Sequence, residues 1–183
     1  MENQEEVVTL ADAKEQVRKV CERLAILHLA FSRTLVDELG EEKGRELVLK
    51  AIKNYGIRVG KRAQKRAQDG GLDNSPGNYK GDLPAYGMHD KVESTQSGNE
   101  KRTRAYGCVM GKVWKELGEE KLGRLYCYVD PAKYIAFNED FKLVHIKAIT
   151  DGDEYCEFAV RPTTQKDRDD FRDGDKDWSQ IDK

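Results

Sequence analysis

Three cysteine side chains are the groups of this sequence best suited to covalent chemistry. Cys108 ends a predicted strand just before a helix, Cys127 ends a helical stretch, and Cys156 lies within another predicted strand. A thiolate is a strong nucleophile, and the positive end of a helix dipole lowers the pKa of a thiol beside it. We therefore take these thiols as candidate reactive or binding groups. The alternative is a small apolar core residue, an interpretation that suits Cys21 best.

Asp130 is a candidate proton donor or acceptor, because it follows Cys127 by three residues. At that spacing the Asp130 carboxylate can contact the Cys127 thiol, or a histidine imidazole that contacts this thiol. The pair Asp130-Pro131 is also typical of a helix N-cap followed by proline at the first helical position. A structural role for the carboxylate therefore stays open.

The three histidines are candidate general bases or ligands, because imidazole changes its charge near neutral pH. His28 lies beside the apolar stripe of the first predicted helix, and His145 shares a strand face with Phe141 and Leu143. His89 lies between a loop and a strand. For His28 and His145 the alternative is a hydrogen-bonded histidine in the core.

Arg58 and Arg62 are candidate substrate-binding residues. They lie one turn apart on a predicted helix that also contains Gly56 and Gly60. Glycine inside a helix costs about 1 kcal/mol relative to alanine, so the pair indicates close approach by another element or by a ligand. An arginine near such a point could hold a carboxylate through two hydrogen bonds.

Two long helices are predicted in the first part of the chain. Apolar residues recur every three or four positions, and we expect this stripe to face the core. Its members are Ala13, Val17, Val20, Leu24, Leu27, Phe31, Leu35 and Leu39. Gly40 is expected to end the first helix. The stripe of the second helix comprises Leu47, Ala51, Tyr55, Val59 and Ala63. The short connection predicts an antiparallel helix pair.

Short helices and two hairpins are predicted in the rest of the chain. Residues 70–84 lack apolar periodicity and form a loop long enough to cover a site. Strands are expected over 86–95 and 103–110, and again over 141–149 and 155–161, with helical segments between the two hairpins. The prediction is an α+β fold in which the helix pair and the short helices pack on a small antiparallel sheet.

One domain is expected over residues 1–162. The charged residues 163–183 contain few apolar side chains and are expected to form a flexible tail. An arm that docks through Phe171 and Trp178 is the alternative.

Composition excludes several classes of protein. The 183 residues carry 32 Lys and Arg against 34 Asp and Glu, which argues against binding to nucleic acid by overall charge. No apolar run approaches the ~20 residues needed to span a bilayer. The acidic residues 1–6 do not resemble a secretion signal, and the four cysteines are too scattered for a secreted disulfide scaffold. We expect a cytoplasmic protein that binds a small molecule, with no nucleic-acid or membrane partner, and leave a homo-oligomer open.

Several segments resemble the L-2-amino-thiazoline-4-carboxylic acid hydrolase family. They are AILH at 25–28, TLVDELG at 34–40, AIKNYG at 51–56, LYCYVD at 125–130, AFN at 136–138 and GDEYCEF at 152–158. The likeness extends from residue 24 to residue 160. Its most specific part is the ordered series of Cys108, Cys127 with Asp130, and Gly152-Asp153 with Cys156.

The resemblance implies a hydrolase that opens a small cyclic amidine or amide, as when a thiazoline ring gives N-carbamoyl-cysteine. The implied fold is similar to the ligand-binding domains named after vinyl reductases. Such domains bind small molecules without necessarily converting them, so the fold alone does not imply catalysis.

The leading hypothesis is a cysteine-dependent hydrolase that acts on C–N or C–S bonds of a small cyclic substrate without a cofactor. Its candidate residues are Cys127 or Cys108 as nucleophile, Asp130 or His28 for proton transfer, and Arg58, Arg62 and Cys156 for substrate binding. A second hypothesis uses Cys108, Cys127 and Cys156, with one His or Asp, to bind zinc or another divalent metal that activates water. A third is a non-enzymatic small-molecule binding or sensor domain.

Overall fold

The protein is described by a computed structural model over residues 7–80, 82–174 and 176–182. The acidic residues 1–6 lie outside this range. The helices and strands are α1 (Leu10–Leu39), α2 (Glu41–Asp69), β1 (Lys91–Ser97), β2 (Glu100–Tyr106), α3 (Val109–Glu116), α4 (Glu120–Gly123), α5 (Val129–Phe137), β3 (Phe141–Lys147), β4 (Cys156–Pro162) and α6 (Gln165–Arg172). This arrangement confirms the predicted α+β fold.

Gly40 separates α1 from α2 and confirms the expected helix end. Its φ of 82° belongs to the region that glycine adopts without a Cβ clash, and its N–H donates to Val36 O at 2.9 Å. At the other end of α1, Thr9 Oγ1 accepts a hydrogen bond from the backbone N–H of Asp12. Because one residue joins the two helices, they pack side by side as the predicted antiparallel pair.

The buried face of α1 is not the predicted stripe. Val20, Leu27 and Phe31 are 64%, 52% and 68% exposed. Instead, α1 buries a face rich in small and polar residues, namely Cys21, Ala25, His28, Leu29, Ser32 and Val36. Small residues let a bulky neighbour approach, since Trp114 of α3 donates its indole N–H to Ala25 O at 3.2 Å. The predicted stripe is therefore only partly correct, since Val17, Leu24 and Leu35 pack against the core but its largest member, Phe31, is exposed.

The same displacement occurs in α2, where only Ala63 of the predicted stripe is fully buried. The other buried residues are Gly44, Val48, Ile52, Gly56, Gly60 and Ala67. Gly56 and Gly60 allow α5 to pack against the backbone of α2. A Cβ at Gly56 would lie 2.5 Å from Ala132 Cβ, and a Cβ at Gly60 would overlap the carbonyl oxygen of Lys133. The glycine pair thus serves helix packing rather than ligand approach.

The sheet has the strand order β1-β2-β4-β3, and all neighbouring strands are antiparallel. Both predicted hairpins are present, with shorter strands than expected. The β1–β2 turn lies at Gly98-Asn99, and the β3–β4 connection contains a 3₁₀ segment that ends with Gly152 at a φ of 100°. One sheet face carries ion pairs such as Arg104–Glu157, whereas the other faces α5.

The C-terminal residues pack on the domain. Helix α6 begins with a capping box between Thr164 and Asp167. Phe171 of α6, and Trp178 and Ile181 after the helix, are buried against α5. The described part of residues 163–183 is therefore a docked arm, and the expectation of a flexible tail is corrected: three large apolar side chains suffice to anchor the charged segment.

None of the helices in the described ranges combines the length and the apolar character that crossing a bilayer requires.

The α2–α5 contact generates a stability prediction. Gly60→Ala should lower the free energy of unfolding by about 1–3 kcal/mol, because the added methyl group forces α5 away from α2. Gly70→Ala is the control, since a Cβ there meets its nearest neighbours at 3.4 Å. Urea unfolding followed by circular dichroism measures both. Equal midpoints for the two variants would contradict the proposed packing role of Gly60.

Candidate functional site

A cavity of about 1350 Å³ lies between one face of the sheet, α5 and the chain that precedes β1. The sheet contributes alternate residues, including Thr103 of β2, Phe158 of β4 and His145 of β3. Residues from the loop expected to cover a site, such as Tyr79 and Asp82, line the opposite side. The cavity is large enough for a small organic molecule.

Cys108, Cys127 and Cys156 all line this cavity, although they come from three separate elements. Cys108 is the N-cap of α3, Cys127 lies in the 3₁₀ segment Arg124–Tyr128, and Cys156 begins β4. All three are free thiols. The sequence prediction brought these residues together as a candidate group, and the structure places them around one space.

The position of Cys108 at a helix start is as expected, but the effect on its acidity is not. Burial raises the pKa of its thiol, while the backbone N–H groups of Gly111 and Met110 act in the opposite direction without reversing the shift. Desolvation disfavours a thiolate more than these amides stabilise it. The expected lowering of this pKa by the helix dipole is therefore wrong.

Burial also raises the pKa of the other two cavity thiols. The pKa of Cys127 lies well above its ordinary value, although the Arg124 guanidinium lowers it in part. The pKa of Cys156 is raised to about 11. Asp130 adds a repulsive negative charge to both thiols. The three thiols are thus protonated at neutral pH.

Asp130 forms a buried ion pair instead of a helix cap. Its carboxylate lies 2.7 Å from Lys133 Nζ, one turn further along α5. Lys133 Nζ also lies 2.8 Å from Asp82 of the covering loop. Burial would raise the pKa of Asp130, but Lys133 and His145 lower it below its usual range. Lys133 in turn keeps its proton, because the two carboxylates outweigh the desolvation that lowers its pKa.

His145 links Asp130 to the C-terminal arm. Its Nε2 lies 3.3 Å from Asp130, and its Nδ1 lies 2.7 Å from Asp182 Oδ1, which also accepts the backbone N–H of His145. Burial favours neutral imidazole, but hydrogen bonds to the two carboxylates raise the pKa of His145 to about 8. His145 is therefore largely an imidazolium at neutral pH. It is not only the hydrogen-bonded core histidine that the sequence analysis left as an alternative.

Arg124 extends the charged network to the other side of Cys127. Its Nη2 donates to Asp182 at 2.5 Å, and its Nε donates to Asp151 at 3.1 Å. The guanidinium stacks 5.1 Å from the ring centroid of Tyr128. Its buried Nη1 has no hydrogen-bond partner in the described part of the chain. Arg124 itself is not among the residues that line the cavity, so its charge acts on Cys127 from behind the cavity wall.

His28 does not reach the cavity. Its Nε2 lies 3.1 Å from Leu122 O, and its ring packs edge-on against Trp114 and Tyr126. Burial lowers the pKa of His28, so the ring is neutral at physiological pH. The prediction that His28 handles protons is corrected to the structural role that was its alternative. His89 does line the cavity, and burial lowers its pKa as well.

Arg58 and Arg62 also lie away from the cavity. Both side chains are exposed on α2, and neither contributes to the cavity wall. The α2 residues that do reach it are Tyr55 and Val59, which the sequence analysis placed in the helix core. The two arginines therefore cannot hold a ligand in this cavity, and that expectation is corrected.

The donor set required by the metal hypothesis is not assembled. Within residues 7–80, 82–174 and 176–182, no group of three or more His, Cys, Asp or Glu side chains is arranged to hold a metal ion.

Lys133, Arg124 and Asp182 are the functional candidates that sequence reasoning missed. A signal existed for Lys133, which follows Asp130 by about one helical turn and carries the sole charge in the segment 131–137 of the sequence. Arg124 lies three residues before Cys127, but nothing distinguishes it from other surface arginines. For Asp182 there was no signal, because its role depends on how the arm docks.

Fold and site together define an α+β domain that encloses a thiol-lined cavity with a buried network of charges. The chain belongs to the L-2-amino-thiazoline-4-carboxylic acid hydrolase family, whose sequence model matches residues 18–160. This match confirms the resemblance noted from the sequence. The family description names a hydrolase, which is a class compatible with the site. No curated protein and no solved structure matches the chain.

The His145 pairing generates a pH prediction. The pKa of His145 in the folded chain, about 8, exceeds the ordinary 6.5. Its contribution to the free energy of unfolding is therefore fully present below about pH 6.5 and lost as pH rises through 8. The difference in unfolding free energy between the native protein and His145→Gln should shrink over that interval.

Urea unfolding at a series of pH values measures this difference. NMR titration of the three imidazoles provides the control. Because burial lowers the pKa of His28 and His89, His145 should be the last of the three to lose its proton as the pH rises. A difference that grows between pH 6.5 and 8 would contradict the charged pairing.

Proposed function

We propose that this chain is a hydrolase that opens a small cyclic amidine or amide ring by cysteine-dependent catalysis, with an aminothiazoline carboxylate as the model substrate. The observation that carries the proposal is the meeting of three thiols and Asp130 on the wall of one cavity. Family membership supports a hydrolase. The bond type and the ring are our inference from the chemistry of these side chains.

Cys127 is the nucleophile we favour. It is flanked on one side by Arg124, whose guanidinium stabilises a thiolate, and on the other by Asp130 one turn away. Cys108 is the second choice, because only backbone amides of α3 stabilise its thiolate. Arg124 affects Cys156 less than the backbone N–H of Ile149 does, and the Cys156 sulfur accepts that N–H at 3.5 Å, so we assign Cys156 to substrate binding.

The proposed reaction begins when the Cys127 thiol adds to the ring carbon between the two heteroatoms. The Sγ–C bond forms, and the thiol proton moves to the amidine nitrogen. The bond from that carbon to the ring sulfur then breaks: the nitrogen electron pair closes a C=N bond, and the leaving sulfur takes the nitrogen proton. Water adds to the resulting isothiourea carbon, and Cys127 leaves as a thiol. The product is a ureido compound with a free thiol, equal to the substrate plus one water.

In this scheme the charged network orients rather than reacts. Lys133 and His145 keep Asp130 deprotonated, so that its carboxylate can accept a hydrogen bond from an N–H group of the amidine. Arg124 is not part of the cavity wall, so its role in the scheme is to stabilise the developing Cys127 thiolate from behind that wall.

Binding without turnover is the second candidate function, and the raised thiol pKa values favour it. A pocket whose thiols stay protonated can hold a ligand through hydrogen bonds and apolar contacts without reacting. Saturable binding with no product would distinguish this function from catalysis.

The proposed function predicts the effect of single thiol replacements. Cys127→Ser should lower kcat by about a thousandfold or more, because a serine hydroxyl is a far weaker nucleophile in the same position. Release of the ring thiol from an aminothiazoline carboxylate, followed with a chromogenic thiol reagent, measures turnover. Cys21→Ser is the matched control, because Cys21 is buried in the α1 core and does not line the cavity.

Cys108→Ser tests the second choice of nucleophile under the same conditions. If Cys127→Ser and Cys108→Ser both retain full turnover while the native protein opens the ring, cysteine-dependent catalysis is wrong. If the native protein binds the ring and releases no thiol, the binding function replaces it.

A further inference from the structure

We propose that the C-terminal arm, described over residues 163–174 and 176–182, completes the site and that Asp182 is a positioning residue that fixes His145 and Arg124 around Cys127. The inference rests on the proposed function for its kinetic consequence. Its structural consequence can be measured without any substrate.

Asp182 makes three hydrogen bonds that join two elements of the site. Oδ1 accepts from His145 Nδ1 at 2.7 Å and from the backbone N–H of His145 at 3.1 Å, while Oδ2 accepts from Arg124 Nη2 at 2.5 Å. The carboxylate is 4% exposed. A surface residue does not make such contacts, because three donors converge on one buried carboxylate only when the surrounding backbone is fixed.

The arm carries its own anchors. Phe171, Trp178 and Ile181 are buried against Ala132 and Ile135 of α5, the helix that also holds Asp130 and Lys133. Lys53 of α2 lies 4.8 Å from the Phe171 ring centroid and 5.9 Å from that of Trp178. The packing that docks the arm therefore also places Asp182 at the site.

The arm lies beyond the part of the chain that the family model matches, which ends at residue 160. The three thiols and Asp130 fall inside the matched part, whereas Asp182 falls outside it. In this chain, therefore, a segment outside the family region supplies the second carboxylate of the His145 pair.

The charged groups around His145 predict what removal of Asp182 does. Asp130 of α5 and Asp182 of the arm contact the imidazole directly. Lys133 pairs with Asp130, and Arg124 pairs with Asp182. Without the Asp182 charge, one carboxylate remains to stabilise the imidazolium, and it is shared with Lys133. The ring then titrates at lower pH, and Arg124 loses the contact that holds its guanidinium near Cys127.

Asp182→Asn tests the proposal, with Asp169→Asn on the exposed side of α6 as the matched control. We expect the NMR-measured pKa of His145 to fall in Asp182→Asn and to stay at about 8 in Asp169→Asn. We also expect kcat to fall roughly 10- to 100-fold with little change in KM, because the reacting groups are misplaced and binding is retained.

Asp182→Glu keeps the charge and adds one methylene, so it covers the case in which Asp182→Asn does not fold. It should keep the pKa of His145 raised and still reduce kcat. An unchanged His145 pKa in folded Asp182→Asn would overturn the proposal. If the native protein shows no turnover, the proposed function fails, but the pKa comparison still decides the role of Asp182.

A separate observation concerns the exposed face of α1. We infer that Val20, Ile26, Leu27, Ala30 and Phe31, here called the α1 surface, bind the same surface of a second copy of this chain. All five residues are exposed, and four of them are large apolar side chains. Isolated exposed apolar residues are ordinary, but a contiguous patch of a few hundred Å² marks an interaction site.

Spacing and charge favour a second copy in antiparallel orientation. The spacing of Val20, Leu27 and Phe31 is that of a helix packing against another helix. The exposed residues Lys19 and Arg23 lie toward the N-terminal end of the α1 surface, and Asp37 and Glu38 lie beyond its C-terminal end. An antiparallel copy places each basic end against an acidic end, whereas a parallel copy places like charges together. Such self-complementarity is what a twofold interface requires.

Leu27→Asp tests this inference, and Leu72→Asp is the control because Leu72 is 47% exposed outside the α1 surface. Sedimentation velocity at several protein concentrations should show a dimer for the native chain and for Leu72→Asp, and a monomer for Leu27→Asp. A native chain that sediments as a monomer, or a Leu27→Asp variant that still forms a dimer, would overturn the inference.

Discussion

The buried ammonium of Lys133 is the constraint on which the layout of the site depends. With 3% of the residue exposed, it needs carboxylate partners, and Asp130 and Asp82 supply them. An unpaired charge in that place would be strongly destabilising. Pairing therefore fixes the covering loop through Asp82 and turns Asp130 toward the cavity. The glycines of α2 are part of this constraint, because they let the α5 backbone approach closely enough to bury Lys133.

From Lys133 the charges alternate along a chain through Asp130, His145 and Asp182 to Arg124. With Asp82 included, and the largely exposed Asp151 on Arg124 left aside, three anions face three cations when His145 is protonated. Loss of the imidazolium proton would leave one buried negative charge unbalanced, which is the physical reason that the imidazole retains its proton above neutral pH. The network thus joins a loop, a helix, a strand and the C-terminal arm into one electrostatic unit.

Sequence reasoning predicted the fold class, the helix pair, both hairpins and the grouping of the three cysteines, because each depends on local pattern or on family likeness. It failed where burial had to be assigned to a particular face. In α1 and α2 the largest apolar residues indicated one face, but close packing selected the small residues beside them, such as Ala25 and Gly60. Because this shift of the buried face of α2 could not be predicted, the expected ligand-binding residues were Arg58 and Arg62, and Tyr55 was expected in the core. The partners of His145 could not be predicted, since one lies on a helix and the other on an arm whose docking is a tertiary event.

The distribution of protons in the site bears on which ring the proposed reaction suits. Lys133 and His145 hold their protons at neutral pH, and so do the three thiols. Asp130 is deprotonated, but its low pKa makes it a poor acceptor for a thiol proton. The site therefore contains many donors and no strong base beside Cys127. A basic amidine nitrogen can take the thiol proton as the Sγ–C bond forms, whereas an amide nitrogen cannot. Of the two ring types considered, the electrostatics of this cavity favour the amidine.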